Sequence, residues 1–216
     1  SVLSRWNKKR QAVQVIAANA DMLVGVGSFQ SPPFRPRFLD RLIVSAEAAH
    51  LEPLIVVNKN DLPSETAVEE RLQEYVRIGY RVLRCSARTG EGIPELTAAL
   101  RGRVAVFFGQ SGAGKSSLLN RIVPGLGLAV GEVSQKHNRG SHTTSVARLF
   151  RLGDGLTLID TPGVRELEIT NVEPEELPFL FREFAELAPC CSYTGCQHID
   201  EPECAVRRAV ESRRIH

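Results

Sequence analysis

Two stretches in this chain could do nucleotide chemistry, and they come in an unusual order. Gly109-Gln110-Ser111-Gly112-Ala113-Gly114-Lys115-Ser116 has the spacing Gly-x4-Gly-Lys-Ser, directly after an apolar run at 103–108. Glycines at these places let successive backbone N–H groups turn inward around anionic oxygens. A helix opening at Lys115, Ser116 and Ser117 adds its N-terminal field. A lysine there reaches the β- and γ-phosphates, and the Ser116 hydroxyl can ligate Mg²⁺. Far upstream, Asn58-Lys59-Asn60-Asp61 follows the apolar run 53–57. A carboxylate at Asp61 accepts from guanine N1–H and the exocyclic amine together, whereas adenine would leave a buried acid unpaired. The Lys59 stem can lie along the ring face, and Asn58 either bonds the base edge or ties neighbouring loops. Taken alone this tetrad is also compatible with a polar turn; beside a phosphate loop it reads as a guanine reader. Ser86-Ala87, after the apolar run 81–85, offers the Ala87 N–H to guanine O6. GTP-binding domains usually present the phosphate loop first and the base reader last. The reversed order implies a circularly permuted domain binding GTP or GDP.

Hydrolysis needs more than a grip. Asp160-Thr161-Pro162-Gly163 closes the run 156–160 and has the Asp-x-x-Gly spacing in which the Asp holds Mg²⁺ through water and the Gly163 N–H meets the γ-phosphate. An Asp-Thr-Pro-Gly β-turn is the competing reading. The next residue, Val164, is aliphatic and cannot orient water. The nearest suitable group is His142, in Gly140-Ser141-His142-Thr143-Thr144, whose neutral imidazole could accept a hydrogen bond from the attacking water. Thr143 and Thr144 compete for the last Mg²⁺ position, with Thr144 preferred. Gly112 stands where some GTPases carry a potassium-binding Asn, so no potassium site is expected.

The last chemical cluster is of another kind. Cys191, Cys196, His198 and Cys204 supply three thiols and one imidazole within fourteen residues. That set satisfies a closed, structural Zn²⁺ site. Metal is a better reading than disulfides for such crowding in a nucleotide enzyme of a reducing compartment. Cys190 is a rival for Cys191. The segment is too short to bury much core, so the ion would supply folding energy.

These groups need elements to position them. Apolar runs at 12–16, 22–27, 53–57, 81–85, 103–108, 146–152 and 156–160 read as strands, several without alternation, as suits strands covered on both faces. Helical patterns fall at 36–49, 65–78, 92–101, 115–122 and 172–187, and 124–145 reads as a long loop. The alternation predicts an α/β, doubly wound and mostly parallel sheet. Residues 1–11 read as a linker remnant, 12–169 as the permuted GTPase domain and 170–216 as a small helical zinc-binding domain. Ser1 reads as an internal start. The chain has 216 residues, 43% of them hydrophobic, enough for one large and one small unit, and a formal charge of +2 that does not by itself announce a nucleic-acid binder. Basic clusters lie at Arg5–Arg10 and Arg207–Arg214. No apolar run approaches the roughly 18 residues of a membrane span, and no secretory signal is visible.

Together the motifs resemble the RsgA (YjeQ) family of circularly permuted GTPases. The resemblance runs through Ala18-Asn19-Ala20-Asp21, Asn58-Lys59-Asn60-Asp61-Leu62, the phosphate loop, Gly140–Thr144, Asp160-Thr161-Pro162-Gly163-Val164-Arg165-Glu166, and the Cys-x4-Cys-x-His-x5-Cys knuckle, where it selects Cys191 over Cys190. It implies a cytoplasmic, monomeric GTPase that uses Mg²⁺ and one structural Zn²⁺. It also implies action late in assembly of the bacterial 30S subunit, with contact to 16S rRNA, hydrolysis stimulated by the subunit, and release afterwards. The family's N-terminal OB-type barrel has no counterpart here, and its final helix is cut short at His216. Ser141, Ser145 and Ala113 depart from commoner family residues. Two other readings compete: an RNA-binding scaffold using GTP as a structural ligand, and a permuted GTPase serving the large subunit.

Overall fold

The fold, obtained as a computed structural model, describes residues 1–7, 11–130, 133–134, 139–140, 147–161, 169 and 172–215. These form two compact units, Ser1–Thr170 and Asn171–His216.

The larger unit is built on a six-stranded sheet. Its strands are β3 (Met22–Ser28), β4 (Glu52–Asn58), β5 (Arg81–Arg84), β6 (Val104–Gly109), β9 (Arg148–Arg151) and β10 (Thr157–Asp160), in the order β5-β4-β3-β6-β10-β9. All pair parallel except the edge strand β9, which runs antiparallel to β10. The helices α1 (Pro36–Ala48), α2 (Thr66–Ile78), α3 (Ile93–Leu100) and α4 (Lys115–Ile122) follow β3, β4, β5 and β6 in turn. Pairing parallel neighbours requires such crossovers, and they cover both faces.

The strand side chains divide accordingly. Leu23, Ile55, Val57, Val106 and Phe108 pack with Leu39, Leu42 and Ile43 of α1 and Leu72 and Tyr75 of α2. Met22, Val24, Val26, Leu54, Val56 and Phe107 pack with Leu96 and Leu100 of α3 and Leu118 and Leu119 of α4. Burying each such leucine contributes about 1.5–3 kcal/mol relative to exposure. This two-sided burial is why 53–57 reads as an unbroken apolar run.

Asp21, just before β3, ties the start of the sheet together. Its N–H donates to the Val104 carbonyl at 2.9 Å, its Oδ2 accepts from Val104 N at 2.8 Å, and its carbonyl accepts from Glu52 N at 2.9 Å. One residue thus aligns β3, β4 and β6.

Three sequence readings change. Residues 1–11 are not wholly a linker: β1 (Val2–Asn7) pairs antiparallel with β2 (Ala12–Ala18), outside the main sheet, and Leu3 and Ala17 reach the core. The basic and polar residues of 5–10 hid the strand because they leave no alternating apolar pattern. The loop at 124–145 contains a ladder of two-residue strands, β7 (Val133–Ser134) and β8 (Arg139–Gly140), too short to show a period. The expected helix at 172–187 is replaced by 3-10 turns at Leu177–Leu180 and Arg182–Phe184, with a third at Ala188–Cys190. Pro178 removes a backbone donor in mid-segment and disfavours helical geometry at Leu177, so an α-helix cannot run through.

The smaller unit has its own core of Leu187, Cys204, Val206, Ala209 and Ile215, built around α5 (Ala205–Glu211).

Candidate functional site

Strand order reverses between β3 and β6. The chain lays β4 and β5 on one side of β3 and β6 and β10 on the other. In an open α/β sheet the crevice outside the carboxyl ends of the strands at such a point is the ligand site. Both nucleotide motifs leave the sheet at these ends: the phosphate loop from β6, and the Asn58–Asp61 tetrad from β4 with Ser86-Ala87 from β5.

The two motifs are in direct contact. Asn58 Nδ2 donates to the Ala113 carbonyl at 2.8 Å, and Lys59 Nζ donates to the Gly112 carbonyl at 2.9 Å. Lys59 also bonds the Ser31 carbonyl, so its ammonium links three loops. Burial lowers the Lys59 pKa, with the Asp61 charge opposing. Asn58 Oδ1 accepts from Ala87 N at 3.1 Å. Of the two roles open to Asn58, tying loops is the one in place, and the Ala87 N–H expected at guanine O6 is directed to Asn58. Asp61 accepts from Ser86 Oγ and, at 2.8 Å, from Arg88 Nε. The Ser86 bond first, then Arg88, hold its carboxyl below the usual range.

The phosphate loop enters α4 through Gly114, in the left-handed region at φ +88°. A Cβ at this position would lie 2.1 Å from Asn58 Nδ2, so only glycine lets the loop after β4 close on the loop after β6. Gly114 gives no side-chain cap to α4, and the first-turn N–H groups of a helix are the donors that suit an anion. Lys115 is buried and bonds the fully buried Asp160 carboxylate. Burial lowers its pKa against the opposing pull of Asp160. Gln110 is only 6% exposed, and neither amide atom has a hydrogen-bond partner among the described residues. Asp160 reaches this place because β10 pairs with β6 in the register Asp160↔Phe107. Ser116 and Asp160 offer the hard oxygen donors that suit Mg²⁺. His142, Thr143, Thr144 and Gly163 lie outside the described residues.

In the smaller unit Cys191, Cys196, His198 and Cys204 bring their ligand atoms within 4.8 Å of one another. His198 Nδ1 lies 3.3 Å from Cys204 Sγ and 3.6 Å from Cys191 Sγ, and the two sulfurs are 3.9 Å apart. Tetrahedral Zn²⁺ with bonds of about 2.3 Å to sulfur requires sulfur–sulfur edges of about 3.8 Å, so the set fits the ion. Cys190 is exposed and stands outside the cluster. Cys204 is the residue preceding α5, and its sulfur accepts from Arg207 N at 3.4 Å. Glu201 accepts from Gln197 N at 2.7 Å and Ile199 N at 2.9 Å, folding the loop around His198. Sequence reading missed Glu201 and Arg88, since neither belongs to a ligand spacing or nucleotide motif.

A permuted strand succession with the phosphate loop on β6 defines the class: a circularly permuted P-loop GTPase. The family model for RsgA GTPase matches residues 1–170. A protein of Chlorobaculum parvum named small ribosomal subunit biogenesis GTPase RsgA is 45% identical over 211 residues, 98% of this chain and 68% of its own length. A Geobacillus protein of the same name is 44% identical over 217 residues, 99% of this chain and 74% of its own. The crystal structure of YjeQ from Thermotoga maritima has a TM-score of 0.75 at 35% identity, covering 96% of this chain and 75% of its own. That of YloQ, described as a circularly permuted GTPase, has a TM-score of 0.69 at 30% identity, covering 98% and 67%. The chain belongs to the RsgA GTPase family.

Proposed function

We propose that this GTPase is a late maturation factor of the bacterial small (30S) ribosomal subunit, working in the cytoplasm as a monomer, in contact with 16S rRNA and hydrolysing GTP faster when the subunit is bound. The names of the relatives support the subunit assignment. The observation that supports the nucleotide reading is the pair of bonds from Asn58 and Lys59 to the Ala113 and Gly112 carbonyls, which holds the Asn58–Asp61 loop against the Gly109–Ser116 loop.

In this reading Asp61 recognises the guanine edge, with Lys59 along the base and Asn58, Ser86 and Ala87 shaping the rim. Backbone N–H groups from Gly109 to Ser117, through Gln110, Ser111, Gly112 and Ala113, surround the phosphates, and Lys115 leaves Asp160 to meet the β- and γ-oxygens. Ser116, Asp160 and Thr144 would hold Mg²⁺, which supplies charge neutralisation at the transferring phosphate. Gly163 N–H meets the γ-phosphate and His142 orients the attacking water. Cys191, Cys196, His198 and Cys204 would hold one structural Zn²⁺. The domain limits, 12–169 and 170–216, belong to the same proposal.

The test is GTP turnover with and without purified 30S subunits, for the wild type and His142→Ala. The variant is expected to bind GTP normally and to lose the stimulated rate by about 10²-fold or more. Unchanged turnover removes His142 from catalysis. Tight GTP binding with no turnover in the wild type favours the scaffold reading instead.

A further inference from the structure

We propose that Arg88 is a specificity-determining residue of the base pocket, bracing the Asp61 carboxylate from behind so that it cannot turn away from the base. The inference rests on Asp61 being the guanine reader. The Asp61 side chain is 9% exposed, and each oxygen has a side-chain donor against it. Oδ1 accepts from Ser86 Oγ, while Nε and Nη2 of Arg88 converge on Oδ2, both at 2.8 Å. An ionised carboxylate has about four acceptor positions. Ser86 Oγ takes one of these positions and Arg88 Nε another. Guanine presents two donors to this group, N1–H and the 2-amine.

The two braces differ in kind. Ser86 is fixed in its turn: its N–H donates to the Glu91 carbonyl at 2.9 Å, its carbonyl accepts from Gly90 N at 2.8 Å, and its hydroxyl accepts from Thr89 N at 3.1 Å. It holds one oxygen and leaves the carboxylate free to pivot about that point. Arg88 holds the second oxygen and removes the pivot. Xanthine places an oxygen where guanine has its amine. A carboxylate that can pivot relieves the resulting repulsion, and a braced one retains it, so Arg88 adds discrimination by keeping the mismatch costly. The Arg88 side chain is 73% exposed. Ion pairs of that exposure have small effects on affinity, so the ratio between two bases is the informative quantity.

The experiment compares binding of GDP and xanthosine diphosphate to the full chain, by calorimetric titration, for wild type, Arg88→Ala and Asp61→Asn. Arg88→Ala is expected to bind GDP roughly 2- to 5-fold more weakly and xanthosine diphosphate as well as or better than wild type, so that the preference for guanine falls. An unchanged ratio, including equal weakening of both ligands, overturns the proposal. Asp61→Asn separates the base-reader assignment from the role of Arg88. If it fails to shift preference toward xanthine, the base-reader assignment itself fails. If it shifts preference and Arg88→Ala does not, only the role of Arg88 falls.

Discussion

Asp61 shows how far one side chain depends on its neighbours. Its spacing from Asn58 suggests a base reader, but its ionisation is set by Ser86, from another loop, and by Arg88. A carboxyl held below its ordinary value, about 3.9, contributes stability above that value and loses it as pH falls through the lowered one. Ser86→Ala removes the larger of the two causes. The acid limb of GDP binding is therefore expected to move to higher pH, toward the ordinary carboxylate range, with a loss of about 1 kcal/mol in folding stability from the Ser86 hydrogen bonds. Titration of GDP affinity between about pH 3 and 7 checks the first, and urea unfolding at neutral pH checks the second. An acid limb in the same place for both proteins would show that Ser86 does not control the charge.

At the scale of elements, the contact between the β6–α4 loop and the β4 loop is what brings the two motifs together. Gly114 permits it for two separable reasons: a left-handed backbone and the absence of a Cβ beside Asn58 Nδ2. Gly79, which ends α2 at φ +100°, shares the first reason only, since nothing lies within 4 Å of its Cβ position. Gly79→Ala is expected to cost only backbone strain, about 1–2 kcal/mol, and to leave nucleotide affinity intact. Gly114→Ala adds displacement of Asn58 and is expected to weaken GDP binding by at least about tenfold, or 1.4 kcal/mol. Parallel affinity and thermal-unfolding measurements on the two variants separate strain from collision. Equal affinities would mean the Asn58 bridge has no part in binding. The helices themselves were legible in advance: 36–49, 65–78, 92–101 and 115–122 correspond to α1–α4 to within a residue at most ends, because each carries a buried stripe. The segment 172–187 was not, because a helical spacing of apolar residues says nothing about the backbone donor that Pro178 lacks.

The whole molecule contains separate cores. The buried clusters flanking the large sheet share no residue with the one around Leu187, Cys204 and Ile215. The smaller unit is short for a self-sufficient core and is expected to depend on its metal. The five cysteines report on this. In zinc-loaded protein only the exposed Cys190 is expected to react with iodoacetamide at neutral pH. After chelation Cys191, Cys196 and Cys204 join it. Cys85, whose thiol is pushed up to about 12 by burial, remains protected until the large unit unfolds. Mass spectrometry of the labelled protein with and without chelator reads these classes directly. Protection of Cys191, Cys196 and Cys204 after complete metal removal would show that the knuckle folds without the ion.

The sequence by itself determined the chemistry available: a phosphate loop, a guanine-type tetrad, a carboxylate after a strand, and a thiol–imidazole set, each legible because its spacing is local. It also indicated the inverted order, since order is a property of the chain. Only the tertiary structure decided what those groups do to one another. Asn58 meets Ala113 across fifty-five positions and Lys115 meets Asp160 across forty-five. Such distances close because parallel pairing brings the ends of β4, β6 and β10 to one edge, and no local pattern encodes which strands become neighbours.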